Sequence, residues 1–114
     1  MHLTLPLPPS ANRYWRHVGT KGLLSASARK YRAACAFAAA VQWRGAPIVG
    51  RVRVRADVFM DLRGDLDNRI KQLLDGVQTT VLTNDSQVWD LHLVRHLDRE
   101  RPRVELTIEP IGAA

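Results

Sequence analysis

Between Ile48 and Met60 the chain alternates with a period of two. Val52, Val54, Ala56, Val58 and Met60 fall on one side, and Arg51, Arg53, Arg55 and Asp57 on the other. Successive side chains of a strand point to opposite faces, so this spacing predicts a strand with one aliphatic face and one basic outer face. Such a strand needs apolar cover on one side only, and the rest of the chain contains the elements to supply it.

His2 to Leu7 reads as a short strand closed by Pro8-Pro9, and Ser10 to Gly22 as a loop. An alanine-rich helix is predicted from Ser25 or Ser27 as N-cap to about Arg44, ended by Gly45 and Pro47. After a polar loop, Asp61 to Asp65, a second helix runs from about Leu66 to Val77. Its Ile70, Leu73, Leu74 and Val77 have the spacing of one buried face. Thr79 to Gln87 is a polar connection. Val88 to Leu97 is a strand with Trp89, Leu91, Leu93 and Leu97 on one side, Arg99 to Pro102 is a turn, and Val104, Leu106 and Ile108 mark a last strand. The order β-α-β-α-β-β predicts an α/β (α+β) fold, a single mixed sheet with two packed helices. The last two strands are close enough to form an antiparallel hairpin, whereas the earlier connections carry helices, as parallel neighbours require. The 114 residues suit one domain, 1–114, with no repeat or linker.

Seventeen Lys and Arg stand against eleven Asp and Glu, a formal charge of +6. That balance on a short chain points to a polyanion, nucleic acid first, and gives no support to a small-molecule substrate. Met1 to Pro9 holds three prolines and no long apolar run, unlike a signal peptide, and no segment is long enough to span a membrane. The expected location is the cytoplasm. Cys35 is the only cysteine, so no intrachain disulfide is possible. It lies in the stretch Ala33 to Ala40 and reads as a small buried residue.

The segment Asp65-Leu66-Asp67-Asn68-Arg69-Ile70-Lys71 is the most informative for chemistry. Two aspartates two residues apart at a loop-to-helix junction can be aimed at one point. Their mutual repulsion is relieved by a cation, and a hard ion such as Mg²⁺ takes carboxylate oxygens while keeping several waters. A third carboxylate can come from Asp85, with Asp61, Asp75 and Asp90 as further candidates. Lys71 shares a helix face with Asp67, and Asp75 lies along the same edge. A lysine there can neutralise a phosphate or protonate a leaving group; it can also be half of an ordinary surface pair.

Other metal readings fail. Position six from Asp65 is Ile70 rather than glycine and position twelve is Gly76 rather than glutamate, so this is no EF-hand loop. His92 and His96 are spaced by about 13 Å on a strand, too far for one zinc ion. Neither a glycine-rich phosphate loop nor a nucleophile elbow is present.

Asn12, Arg13, Tyr14, Trp15, Arg16 and His17, followed by Lys21, interleave basic and aromatic side chains. They can grip phosphates and stack on exposed bases, or Tyr14 and Trp15 can anchor the loop to the core. Arg51, Arg53 and Arg55 can extend a phosphate track or form a solvated strand face. An acidic knot within a basic chain points to phosphate chemistry on DNA, because carboxylates repel DNA unless a metal bridges them. The runner-up is a non-catalytic basic DNA-binding module whose aspartates are structural.

Three blocks resemble the RusA family of Holliday junction resolvases of bacteria, phages and prophages. These are Pro8-Pro9-Ser10 with Asn12 and Arg13; Asp65-Leu66-Asp67-Asn68 with Lys71 and Asp75; and Asn84-Asp85 with Gln87-Val88. The resemblance implies a homodimer that nicks two strands of a four-way DNA junction symmetrically with Mg²⁺ or Mn²⁺. It implies Asp65, Asp67 and Asp85 as metal ligands, Lys71 as the essential lysine, and acidic positions at Asp75 and Asp90. Members often carry a denser basic run before the paired aspartates than Met60-Asp61-Leu62-Arg63-Gly64, and Asn84 stands where some have another aspartate. For a dimer contact, the stretch Ala33 to Ala40 with Trp43 is the candidate.

Overall fold

In a computed structural model, which describes residues 1–9, 15–18, 21–24, 26–61, 64 and 66–112, the alternating segment is the strand β4, Val52–Met60. Its five aliphatic residues are at most 2% exposed. The strand starts at Val52 rather than Ile48, which instead makes an isolated bridge to Leu82. Three more strands complete the sheet: β1 His2–Leu5, β5 Val88–Leu97 and β6 Arg103–Pro110. The helices are α1, Ala26–Gln42, and α2, Ile70–Val77. Thus β1 is shorter than expected, Ser27 lies inside α1, and Ser25, the other expected cap, lies outside the described residues.

The sheet order is β1-β6-β4-β5. Strand β5 runs parallel to β4, joined to it through α2, while β6 runs antiparallel to both β4 and β1. The expected β5–β6 hairpin does not form. Asp98 at the end of β5 donates its N–H to Met60 O (3.1 Å), so the connection passes the end of β4 and delivers β6 to that strand's far side. Burial explains the choice. Val104, Leu106 and Ile108 are wholly buried, which suits the interior of the sheet, whereas β5 carries His92, Arg95 and His96 and takes an edge.

The reading of Ser10 to Gly22 as a loop also needs correction. Trp15–Val18 (β2) and Lys21–Leu24 (β3) pair antiparallel as a separate two-stranded sheet, with Trp15 opposite Leu24 and Val18 opposite Lys21. Periodicity gives no sign of this hairpin because Arg16, His17 and Gly22 interrupt any apolar alternation.

Both helices cover the aliphatic face of the large sheet. Tyr31, Cys35 and Ala39 of α1 meet Leu73 and Val77 of α2 in one core with Leu3, Leu5 and the inner residues of β4 and β6. Burial pushes the Cys35 thiol above its ordinary value, so it stays protonated and unreactive, as its setting suggested. The helices cross at Gly76. A Cβ there would lie 2.6 Å from Cys35 Sγ and 2.8 Å from Cys35 Cβ, so the close approach requires glycine. Among the described residues no helix is long and apolar enough to cross a membrane.

Candidate active site

The second carboxylate of the pair, Asp67, opens a 3₁₀ turn, Asp67–Arg69, that leads directly into α2. The helix expected from Leu66 therefore starts with a tighter turn. Asp67 is exposed, and Lys71 stands four residues later, in the first turn of α2. Asp65 lies outside the described residues, but the backbone on either side of it is held. Gly64 adopts φ +95°, a left-handed conformation suited to glycine, and its carbonyl accepts from Arg95 Nη2 at 2.6 Å. A side chain at position 64 would also meet Arg69 Nη2 at 2.8 Å.

Asp85 comes from the other side of α2. It begins a second 3₁₀ turn, Asp85–Gln87, capped by Asn84, whose side chain accepts the Ser86 N–H at 2.9 Å. Gln87 completes the capping box by accepting the Asn84 N–H at 2.9 Å. The same amide accepts from the Thr83 N–H and hydroxyl, and its NH₂ donates to the carbonyls of Ile48 (2.7 Å) and Gly50 (2.8 Å). Gln87 thus fastens the Asp85 turn to the lead-in of β4. The Asn84-Asp85…Gln87 block has a physical reason beyond the carboxylate itself: it is a rigid mount.

These mounts bring Asp85, Lys71 and Asp75 together. Lys71 Nζ lies 3.0 Å from Asp75 Oδ1 and 3.8 Å from Asp85 Oδ2. Asp75 is only 10% exposed, Asp85 41% and Lys71 62%, so the lysine is braced from below by Asp75 and reaches towards solvent beside Asp85. A carboxylate whose ion pair is as long as 3.8 Å keeps oxygen lone pairs available for a hard cation. Among the described residues no three carboxylate, imidazole or thiol groups converge on one point; the expected trio includes Asp65, which is not among them.

Asp90 behaves differently from Asp75. It belongs to the outer face of the sheet, where it accepts from Arg53 Nε at 2.8 Å and pairs with His92 at 3.0 Å. The hydrogen bond from Arg53 holds its carboxyl below the usual carboxylate range. Arg55 does the same to Asp57, which also pairs with His96 at 2.8 Å. Both histidines are thus partly exposed strand residues within hydrogen-bonding distance of a carboxylate. Arg103 is shared between Asp98 and Glu105, and Arg53 also faces Glu109. Arg53, Arg55 and Arg103 thus meet five carboxylates, Asp57, Asp90, Asp98, Glu105 and Glu109. Arg51 lies over the Trp89 ring at 4.4 Å. Arg53 and Arg55 are half-exposed partners of surface carboxylates, each pair contributing little to stability.

Two hydrogen bonds that sequence spacing could not show tie the proline block to α2. Arg69 Nη1 donates to Pro8 O, and the buried Gln72 donates from Nε2 to Pro9 O at 2.6 Å. Pro8 and Pro9, which precede the basic aromatic segment in the chain, are therefore fixed to the flank of the site helix. Asn12, Arg13 and Tyr14 lie outside the described residues; Trp15, Arg16 and Lys21 sit on the β2–β3 hairpin, described by its backbone alone.

The family model for endodeoxyribonuclease RusA matches residues 6–109, which span all three blocks. The chain belongs to the RusA family. It is 33% identical to the crossover junction endodeoxyribonuclease of Enterobacteria phage 82, over 97% of this chain and 95% of that protein. The Escherichia coli K12 RusA protein of the same description is also 33% identical, over 96% of this chain and 94% of the relative. A third relative, from Enterobacteria phage HK97, matches at 33% over 80% of this chain and 78% of its own. The RusA match takes in the proline block, the Asp67–Lys71–Asp75 helix and the capped Asp85 turn, the elements that build the site.

Proposed function

We propose that this chain is a metal-dependent endodeoxyribonuclease that resolves four-way DNA junctions by paired symmetric nicks, acting as a homodimer in the cytoplasm of a bacterial or phage-infected cell. The observation that carries the reading is Lys71 held between Asp75 and Asp85 one helical turn from Asp67, in a chain that matches the RusA model over residues 6–109. Asp65, Asp67 and Asp85 are the residues that would hold Mg²⁺, or Mn²⁺ in its place. Their all-oxygen donors suit a hard ion, and the exposed Asp67 and half-exposed Asp85 leave it open to substrate. Bound there, the metal supplies a more acidic water and polarises the phosphoryl oxygen. Lys71 presents its ammonium to the charge that develops on the phosphate or the leaving oxygen, and Asp75 keeps it oriented. Asn84 and Gln87 hold the Asp85 turn still while the phosphate is engaged.

The paired aspartates occur once in the chain, so two nicks within one binding event need two chains. The candidate contact stretch divides by burial: Cys35 and Ala39 face the core, while Phe37 (73% exposed) and Val41 (50%) lie on the outer side of α1. That outer side is the proposed dimer surface. The deciding experiment is incubation of the chain with a synthetic four-way junction or a linear duplex, with Mg²⁺ or with chelator, read on a denaturing gel. The expected result is two symmetric nicks in the junction, an intact duplex and no cutting in chelator. Light scattering should show twice the 12.8 kDa monomer. A junction that is bound yet left intact with both Mg²⁺ and Mn²⁺ makes this a binding module instead.

Arg13 and Arg16 belong to the basic segment that leaves Pro9 beside α2. Their double alanine variant should bind the junction more weakly, with a shallower salt dependence, because each phosphate no longer neutralised takes about 0.9 from the log–log slope. Filter binding between low and physiological salt measures it. Unchanged affinity and slope in a folded variant would return the segment to a structural role.

A further inference from the structure

The ion pair at Lys71 does not end at Asp75. Arg32, from the middle of α1, places Nη2 3.5 Å from Asp75 Oδ2, while Lys71 takes Oδ1 at 3.0 Å. Two cations from different helices therefore share one largely buried carboxylate, each on its own oxygen.

Arg32 is half exposed and meets Asp75 through one long ion pair, so its planar fork, with five N–H donors, has capacity left on the solvent side. Beside it opens a hollow of about 230 Å³ lined, among the described residues, by the polar Arg32, Asp75, Gln78 and Thr79. Gln78 ends α2, and Thr79 follows it at φ +74°, the only non-glycine residue with positive φ among those described. A β-branched side chain is rarely found in this left-handed conformation, and strain of this kind gathers at ligand clamps. The turn is kept in shape by Thr79 N–H donating to Leu82 O at 2.6 Å.

We propose that this hollow seats a backbone phosphate of the DNA other than the one cleaved, with Arg32 as its charged partner and Gln78 and Thr79 as neutral donors. The proposal rests on the reading of Lys71 as the lysine beside the cleaved phosphate. Asp75 then links the two subsites: one carboxylate sets Lys71 towards the reaction and Arg32 towards the neighbouring phosphate, which fixes the strand's path across the cleft. Guanidinium geometry suits a phosphate, which it can grip with two parallel donors. The carboxylate lining the hollow is no obstacle, since both its oxygens are already engaged by cations.

The test compares the full chain with Arg32→Ala, Arg32→Lys, Thr79→Gly and Asp75→Asn. Junction affinity is measured across a salt series in chelator, so that nothing is cut, and single-turnover cleavage is measured at saturating enzyme. For Arg32→Ala, affinity is expected to fall roughly tenfold, the log–log salt slope to drop by about 0.9, and the saturated cleavage rate to stay within about threefold, since an interaction that stabilises ground and transition states equally does not enter that rate. Arg32→Lys restores the slope, because the slope counts charges, but recovers only part of the affinity. Thr79→Gly melts no lower than the parent chain and binds more weakly with an unchanged slope. An unchanged slope and affinity for Arg32→Ala overturns the proposal. So does a loss of saturated rate matching that of Asp75→Asn, because Arg32 would then act only by positioning Lys71. A parent chain that binds but never cuts defeats the nuclease reading alone, since the phosphate seat is read out by binding.

Discussion

An Asp67→Asn variant is expected to fold, to bind a four-way junction at least as tightly as the parent chain, and to cut it roughly 10³-fold more slowly. Asparagine keeps the shape and polarity of the side chain and removes the negative charge that a hard cation requires. Metal stabilisation of a phosphoryl transition state is worth several kcal/mol, and each 1.36 kcal/mol is a factor of ten in rate. Binding should hold up because Asp67 is exposed, because its charge would repel a phosphate brought to the proposed site, and because it opens a surface turn rather than packing in the core. Thermal melting supplies a second readout. The parent chain should gain stability with rising Mg²⁺ by ligand linkage, and the variant should gain much less. Near-normal cleavage by Asp67→Asn would remove this residue from the metal site.

Gly76→Ala should lower the free energy of unfolding by roughly 2 kcal/mol and the melting temperature by on the order of 8 °C. Alanine in a helix interior is favoured over glycine by about 1 kcal/mol, so propensity alone predicts the opposite sign. Packing decides. The new methyl group would stand 2.6 Å from Cys35 Sγ and 2.8 Å from Cys35 Cβ, and overpacking of a full core costs about 1–3 kcal/mol. With two approaches this short, the upper end of that range applies. Cys35→Ala removes the approach at Sγ but leaves the one of 2.8 Å at Cβ, so the clash is relieved only in part. The helices must move apart, and α2 carries Lys71 and Asp75, so junction cleavage should fall with stability. Calorimetry on the variant checks the sign. Melting at or above the parent temperature would show that the α1–α2 approach is not as tight as the Gly76–Cys35 geometry requires.

Strand β4 and the two helices were legible in the chain because each announces itself locally. The alternation of Val52, Val54, Ala56, Val58 and Met60, and the spacing of Ile70, Leu73 and Val77, are periodicities that only one kind of element satisfies. The pairing of strands was not legible. A short turn such as Asp98–Pro102 can close a hairpin or carry the chain past one strand, and the two have the same local sequence. The choice depended on which strand buries three full aliphatic residues and on which side of β4 was already taken by β5.

The candidate site divides along the same line. Asp67, Lys71 and Asp75 lie on one short stretch, and helix geometry alone places Lys71 within reach of both aspartates. The close spacing of Asp65 and Asp67, the +6 charge that points to a polyanionic partner and the RusA resemblance were likewise properties of the sequence itself. Only the tertiary structure set Asp85 against Lys71, joined Arg32 to Asp75, and fastened Pro8 and Pro9 to Arg69 and Gln72. It alone showed Arg53 and Arg55 to be partners of Asp57, Asp90 and Glu109. The reason is physical. Periodicity reports which side of an element is apolar, but the partner of a polar side chain is fixed by elements far apart in the chain that meet only when the core between them closes.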